Sequence, residues 1–186
     1  MSRAIQIRVS ESVVRTVHVE DGIQSPLEML PILAPGRMGE LLAAELEAQG
    51  FERDGATATR TDPDGIEVTV DLASATVSVK IGATADLAES IERRQNVGIE
   101  IQESAETRLR DDVIRDLDDR LAARTEDLRR EITQRLEKKL GDLRTELDGA
   151  VGRATVAALT ERASQLGQIE SVVGDEAGNV TIKVKL

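Results

Sequence analysis

Residues 104–166, SAETRLRDDVIRDLDDRLAARTEDLRREITQRLEKKLGDLRTELDGAVGRATVAALTERASQL, contain no proline and return to Leu, Ile, Val or Ala every third or fourth position. That period predicts one long two-faced helix whose apolar seam must be covered by another helix. Leu117 opens the seam. Leu121, Ile132, Leu143 and Ala154 follow at intervals of eleven, as do Thr125, Leu136, Leu147 and Ala158, with Leu128, Leu140 and Val151 as a third column. An eleven-residue repeat averages slightly more than 3.6 residues per turn, so a partner helix should lie nearly straight or wind gently to the right.

The charged residues of the stretch suit a solvated face. Glu106 and Arg110, Asp111 and Arg115, Asp116 and Arg120, Glu126 and Arg130, and Glu131 and Arg135 stand four apart with the acid first, each pair adding about 0.2 to 0.5 kcal/mol. Gly141, Gly149 and Gly152 each weaken the helix by about 1 kcal/mol relative to Ala. Unbroken, the stretch would reach about 90 Å at 1.5 Å per residue. A reversal near Gly141 to Gly152 would instead make a helical hairpin within one chain.

On either side the pattern changes to period two. Ile5, Ile7 and Val9, then Val13, Val17 and Val19, predict two short strands with a polar turn at Ser10, Glu11 and Ser12. Between Pro26 and Pro35 lies a proline-rich apolar loop expected over the sheet. A compact helix is predicted from Gly36 to Gly50, with Met38, Leu41, Leu42 and Leu46 on one face and Gly50 as its C-terminal cap.

Ala56 to Arg60, Ile66 to Leu72 and Val77 to Ile81 read as a meander whose first turn is Asp62-Pro63-Asp64-Gly65, with Pro where φ is near -65° and Gly where it turns positive. Thr84 to Arg94 reads as a second short helix capped by Thr84. Val97, Ile99 and Ile101 could form a last short strand before Ser104, unless the long helix runs through. Ile169 to Val173 and Val180 to Val184 flank Gly174-Asp175-Glu176-Ala177-Gly178-Asn179 as a C-terminal hairpin. The fold expected is α+β: a mostly antiparallel head over 1–102, a coiled-coil-like helical arm over 103–167 and a β-hairpin over 168–186.

Composition narrows function more by exclusion than by motif. Phe51 is the lone aromatic residue, which disfavours base stacking and sugar platforms. The net charge is -11, yet 104–166 holds 14 acidic and 13 basic residues, leaving 21 acidic and 11 basic for the rest. Such a surface repels nucleic acid. With no cysteine there is no disulfide or thiolate site, and no run reaches the roughly 18 apolar residues of a membrane span. The amino terminus lacks the continuous apolar core of a signal peptide, so a cytoplasmic protein is expected.

No catalytic constellation is legible. His18 has no second imidazole or cysteine to work with. Asp62, Asp64 and Asp71 lack the spacing of a calcium loop and read as turn residues. Gly36-Arg37-Met38-Gly39 lacks the Lys-Ser/Thr pair or full glycine fingerprint of a phosphate cradle. No cofactor or metal is expected, and an enzyme is a distant third reading.

Ser2-Arg-Ala-Ile-Gln-Ile-Arg-Val, Gly50-Phe-Glu-Arg-Asp-Gly and the Asp-Pro-Asp-Gly meander resemble small accessory proteins of bacterial ternary systems that pair MoxR-type or FtsH-like AAA+ ATPases with von Willebrand A domain proteins. The resemblance spans at most the first 100 residues and implies an accessory or adaptor role. In architecture, a long helix with α/β ends is also similar to peripheral-stalk subunits of rotary ATPases. The leading expectation is a non-enzymatic scaffold or adaptor that forms a homo-oligomer or binds a helical partner through Leu117, Leu121, Leu128, Ile132, Leu136, Leu140, Leu143, Leu147, Val151, Ala154 and Ala158. The alternative is a binding module whose acidic head recognises a partner, with the arm as spacer.

Overall fold

Alternation carried without a phase break makes the amino-terminal segment a single strand. In the computed structural model, which describes residues 4–174 and 180–185, β1 runs Ala4–Pro26. Its odd positions Ile5, Ile7, Val9, Glu11 and Val13 all turn inward, so Ser10-Glu11-Ser12 preserves the register instead of reversing the chain. The turn expected there is absent because Ser10 and Ser12 fall on the solvent side, where a polar residue costs a strand nothing, and the inward Glu11 is paired with Arg110.

The helix α1 (Pro35–Ala48) matches expectation, with Met38, Gly39, Leu42, Ala43 and Leu46 buried and Gly50 at φ 86°. Two short strands follow: β2 (Glu52–Asp54), which the sequence pattern did not reveal, and β3 (Thr57–Thr61). At the Asp62-Pro63-Asp64-Gly65 turn, Gly65 has φ 77° and donates its N–H to the Asp62 carbonyl at 2.9 Å. β4 (Ile66–Asp71) then pairs antiparallel with β3.

β5 runs Thr76–Gly98, so the helix expected over Thr84 to Arg94 is a strand. Its residues 81, 83, 85, 87, 89 and 91 face inward and the even ones outward. Pairing with β1 supplies backbone partners, which overrides the modest helix preference of Ala, Leu and Glu. A short 3₁₀ turn, Ile99–Ile101, replaces the strand expected at Val97 to Ile101 and leads into α2 (Gln102–Ser164), 63 residues without interruption. The helix continues through Gly141, Gly149 and Gly152, so there is no helical hairpin. Three glycines cost about 3 kcal/mol, which burial of the seam offsets.

The strands form one antiparallel sheet in the order β1-β5-β4-β3-β2, and β6 (Gln168–Gly174) pairs with β7 (Val180–Lys185) as a separate ribbon. The connection expected over Asp175 to Asn179 lies outside the described residues. The architecture is α+β: a five-stranded sheet, one long helix, one short helix and a C-terminal hairpin.

The chain divides into two compact units, Met1–Asp21 with Gly82–Gln134 and Gly22–Ile81 with Arg135–Leu186. In the first, Leu109, Val113 and Leu117 of α2 pack with Ile7 and Val9 of β1 and Ile91 and Val97 of β5. There the seam is covered by a strand ribbon of the same chain, not by a second helix. An aliphatic helix stripe specifies an apolar cover but not its secondary structure, and an aliphatic sheet face serves equally. In the second, Met38, Leu42 and Leu46 of α1, Ile66, Val68 and Val70 of β4, and Leu136, Leu143 and Leu147 of α2 are buried.

Candidate functional site

The charges of α2 pair differently from the simple i, i+4 scheme. In the first unit Arg110 reaches Glu11, Asp116 accepts from Arg93, Asp118 from Arg15, and Arg124 reaches Glu89. Strand residues thus take partners that the helix could have supplied itself. Several pairs that stay on the helix use the neighbouring i, i+3 spacing, as in Arg115 with Asp112, Arg129 with Glu126 and Arg130 with Asp127, while Arg144 and Asp148 keep i, i+4. These exposed pairs set orientation more than stability. His18 is in this unit, exposed, with Nδ1 2.9 Å from the Thr84 hydroxyl and Nε2 2.7 Å from Glu20.

The second unit contains a half-buried ionic hub. Arg60 on β3 makes two bonds to the Glu146 carboxylate at 2.5 and 2.9 Å. It also donates to the Gln49 carbonyl at 3.1 Å and lies 4.5 Å from the Phe51 ring centroid. Its Nε is 3.2 Å from the Asp62 carboxylate, an ion pair without an aligned hydrogen bond. The hydrogen bond from Arg60 holds the Glu146 carboxyl below its ordinary range, against the opposing effect of burial.

The three aspartates expected to serve turns do so here. Asp62 belongs to the hub, and Asp64 is held low by its hydrogen bond to Lys139. Asp71 is held low first by the Ser74 backbone N–H and then by that of Ala73, closing the tight β4–β5 turn in which Ala75 has φ 49°. Arg37, from the glycine-flanked start of α1, pairs with Glu161, and Gly39 faces the Leu72 carbonyl too closely to admit a Cβ. That segment is packing surface. Among the described residues no three His, Asp or Glu side chains gather as a metal site.

Of the seam residues, Leu117, Leu121, Ile132, Leu136, Leu143, Leu147, Val151, Ala154 and Ala158 are buried and Leu128 and Leu140 half-buried. Leu117, Leu121, Leu128 and Ile132 belong to the first unit and the other seven to the second. Leu140, Leu143, Leu147 and Val151 line a groove of about 750 Å³ in the second unit, opposite Val77 and Val79 of β5. Its remaining lining includes Ile23, Leu30 and Leu159, which stay 46%, 61% and 40% exposed.

The 27–34 loop is tied down by the Leu27 N–H, which donates to the Ala75 carbonyl at 2.7 Å. Leu30 nevertheless projects into solvent beside the groove. Sequence reasoning took this loop for a cover of the sheet and missed Ile23, Leu30 and Leu159 as groove residues. The signal was an apolar loop that its own prolines keep from packing as an amphipathic element.

An α+β domain that presents an exposed apolar groove beside a long helix is of the class suited to meeting other proteins. A family model described as FtsH ternary system domain X5 matches residues 1–186, and the chain belongs to that family. No curated protein and no solved structure matches it. Membership makes it an accessory domain of an FtsH-associated ternary system, which implies protein partners. Among the described residues no helix is long and apolar enough to cross a membrane.

Proposed function

We propose that the chain is a non-enzymatic adaptor that joins components of its ternary system through the groove beside α2. The observation that carries this reading is the coincidence of seam and exposure. Four seam residues line the groove, and Ile23, Leu30 and Leu159 leave its lining partly wet. Exposed apolar surface of this kind marks a contact site more often than it marks packing left unfinished.

The occupant proposed is an apolar segment flanked by basic residues, supplied by another component of the system. Glu28 and Asp148 at the groove and a net charge of -11 support that choice, since unlike charge steers encounter and suppresses wrong partners. The seam residues of the first unit serve in this reading as internal packing.

Binding of the purified protein to the ATPase and to the third component tests the proposal directly. Leu30→Glu combined with Leu159→Glu changes exposed positions, so the circular dichroism spectrum and melting temperature should hold while affinity falls by about tenfold or more. Affinity equal to wild type for both components would remove the groove from consideration. Loss of binding on adding salt, with these variants normal, would move recognition to the acidic surface.

A further inference from the structure

From Gly82 to Gly98, β5 has one neighbour. Its pairing with β4 ends at Ile81, and among the described residues only β1 flanks the rest. The far edge therefore presents a row of backbone N–H and C=O groups with no strand to meet them. Proteins blunt such an edge with proline, a very short strand or charged side chains. Here only charge is in place, since the chain has no proline after Pro63 and the strand runs to Gly98, while Asp86, Glu89, Glu92, Arg93 and Arg94 lie along it. In the first unit the ribbon of β1 and β5 relies on α2 for support, since a two-stranded ribbon alone is marginal.

The side chains along this edge complement themselves. In antiparallel pairing opposed residues share a face, so a two-fold axis must lie between one residue and the same residue of the second copy. With the axis at Ser90, Asp86 stands opposite Arg94 of the second copy and Arg94 opposite its Asp86. Ala88 then meets Glu92, and no like charges are opposed. Moving the axis to Glu89 sets Asp86 against Glu92 twice. Moving it to Ile91 leaves Asp86 against Asn96 and Arg94 against Ala88, and opposes only Glu89 with Arg93, which already pair with Arg124 and Asp116 of their own chain. Asp86 and Arg94 are even-numbered and face solvent; Asp86 accepts from the Thr16 hydroxyl at 2.5 Å, and Arg94 pairs with Glu92 of its own strand at 2.7 Å.

We infer that the open edge of β5 over 82–98 pairs with the same edge of a second copy, forming an isologous dimer about Ser90. The ribbon of each first unit thereby becomes half of a four-stranded sheet in the order β1-β5-β5-β1. This surface is separate from the groove, which is lined by residues of the second unit alone.

Light-scattering molar mass and sedimentation equilibrium on the full chain test it. Wild type should be a concentration-dependent dimer. Asp86→Arg and Arg94→Asp should each weaken self-association by about tenfold, because two symmetric pairs are lost at once. The two together should restore it. Alternate backbone amides over 82–98 should exchange slowly in the dimer and quickly in the single variants. A wild-type monomer at every concentration overturns the inference, as does a dimer indifferent to the single reversals or not recovered by the double. Edge amides protected only in the presence of another protein would also overturn it, in favour of a foreign strand. Leu30→Glu with Leu159→Glu should leave the dimer unchanged, so groove and edge fail or succeed separately.

Discussion

Replacing Arg60 with Ala removes four interactions from one half-buried position. The bond to the Gln49 carbonyl contributes about 1 kcal/mol, and the approach to the Phe51 ring about 0.5 to 1 kcal/mol. The pairs with Glu146 and Asp62 fall between the exposed and buried limits, since the side chains are 19% exposed for Arg60, 33% for Glu146 and 23% for Asp62. Together these pairs contribute about 1 to 2 kcal/mol. The sum predicts a loss of about 3 kcal/mol, or about 1.5 M in the urea midpoint at a slope of about 2 kcal/mol/M. Glu146→Gln keeps shape and one acceptor and should cost about 1 kcal/mol. Urea melts of wild type, both single variants and the double then give a coupling energy of about 1 kcal/mol. A coupling below about 0.3 kcal/mol would refute the view of Arg60 and Glu146 as an energetic pair, whatever the single variants cost.

Acid should destabilise the protein partly through the same pair. Glu146 has its folded-state pKa depressed by Arg60, so its contribution is complete above the unfolded value of about 4.3 and disappears as pH falls through the lower folded value. Asp64 and Glu40 are shifted in the same direction by Lys139 and Arg53. Melting temperature should therefore drop steeply below about pH 4.3, and Glu146→Gln should make that limb shallower; parallel limbs would count against the assignment. Gly141→Ala should raise stability by about 0.5 to 1 kcal/mol, because the added Cβ meets nothing within 4 Å and the helix is continuous there. A hinge at Gly141 would instead make that substitution neutral or harmful in a thermal melt.

Local chemistry was legible wherever one residue type settles a conformation. The Asp62-Pro63-Asp64-Gly65 turn, the cap at Gly50 and the uninterrupted polar and apolar period of α2 all could be read directly. The two long strands could not. Ser10-Glu11-Ser12 looks like a turn because turn composition and solvent-face composition coincide, and only the unbroken parity from Ile5 to Val13 distinguishes them. Thr84 to Arg94 mixes Ala, Leu and Glu, good helix formers, at spacings that satisfy period two for Ala83, Ala85, Leu87 and Ile91. A partner strand decided it, and that partner lies far away in sequence. The seam was legible as a face needing cover, whereas the identity of the cover depends on that same distant pairing. The groove depended on it too, since Val77 and Val79 meet α2 only once the sheet is assembled.

The pairing of β1 with β5 also has a cost in time. Arg8 bonds Glu92, 84 residues further along, and Arg15 bonds Asp118, 103 residues further along. At about 5 to 20 residues per second on the ribosome, Arg8 waits about 4 to 17 s after its own synthesis before Glu92 exists. During that interval Ile5, Ile7, Val9 and Val13 form an alternating apolar strand with nothing to pair with, the kind of segment that chaperones hold and that crowded nascent chains exchange. Ser10, Glu11 and Ser12 lower the hydrophobicity of that waiting strand at its middle.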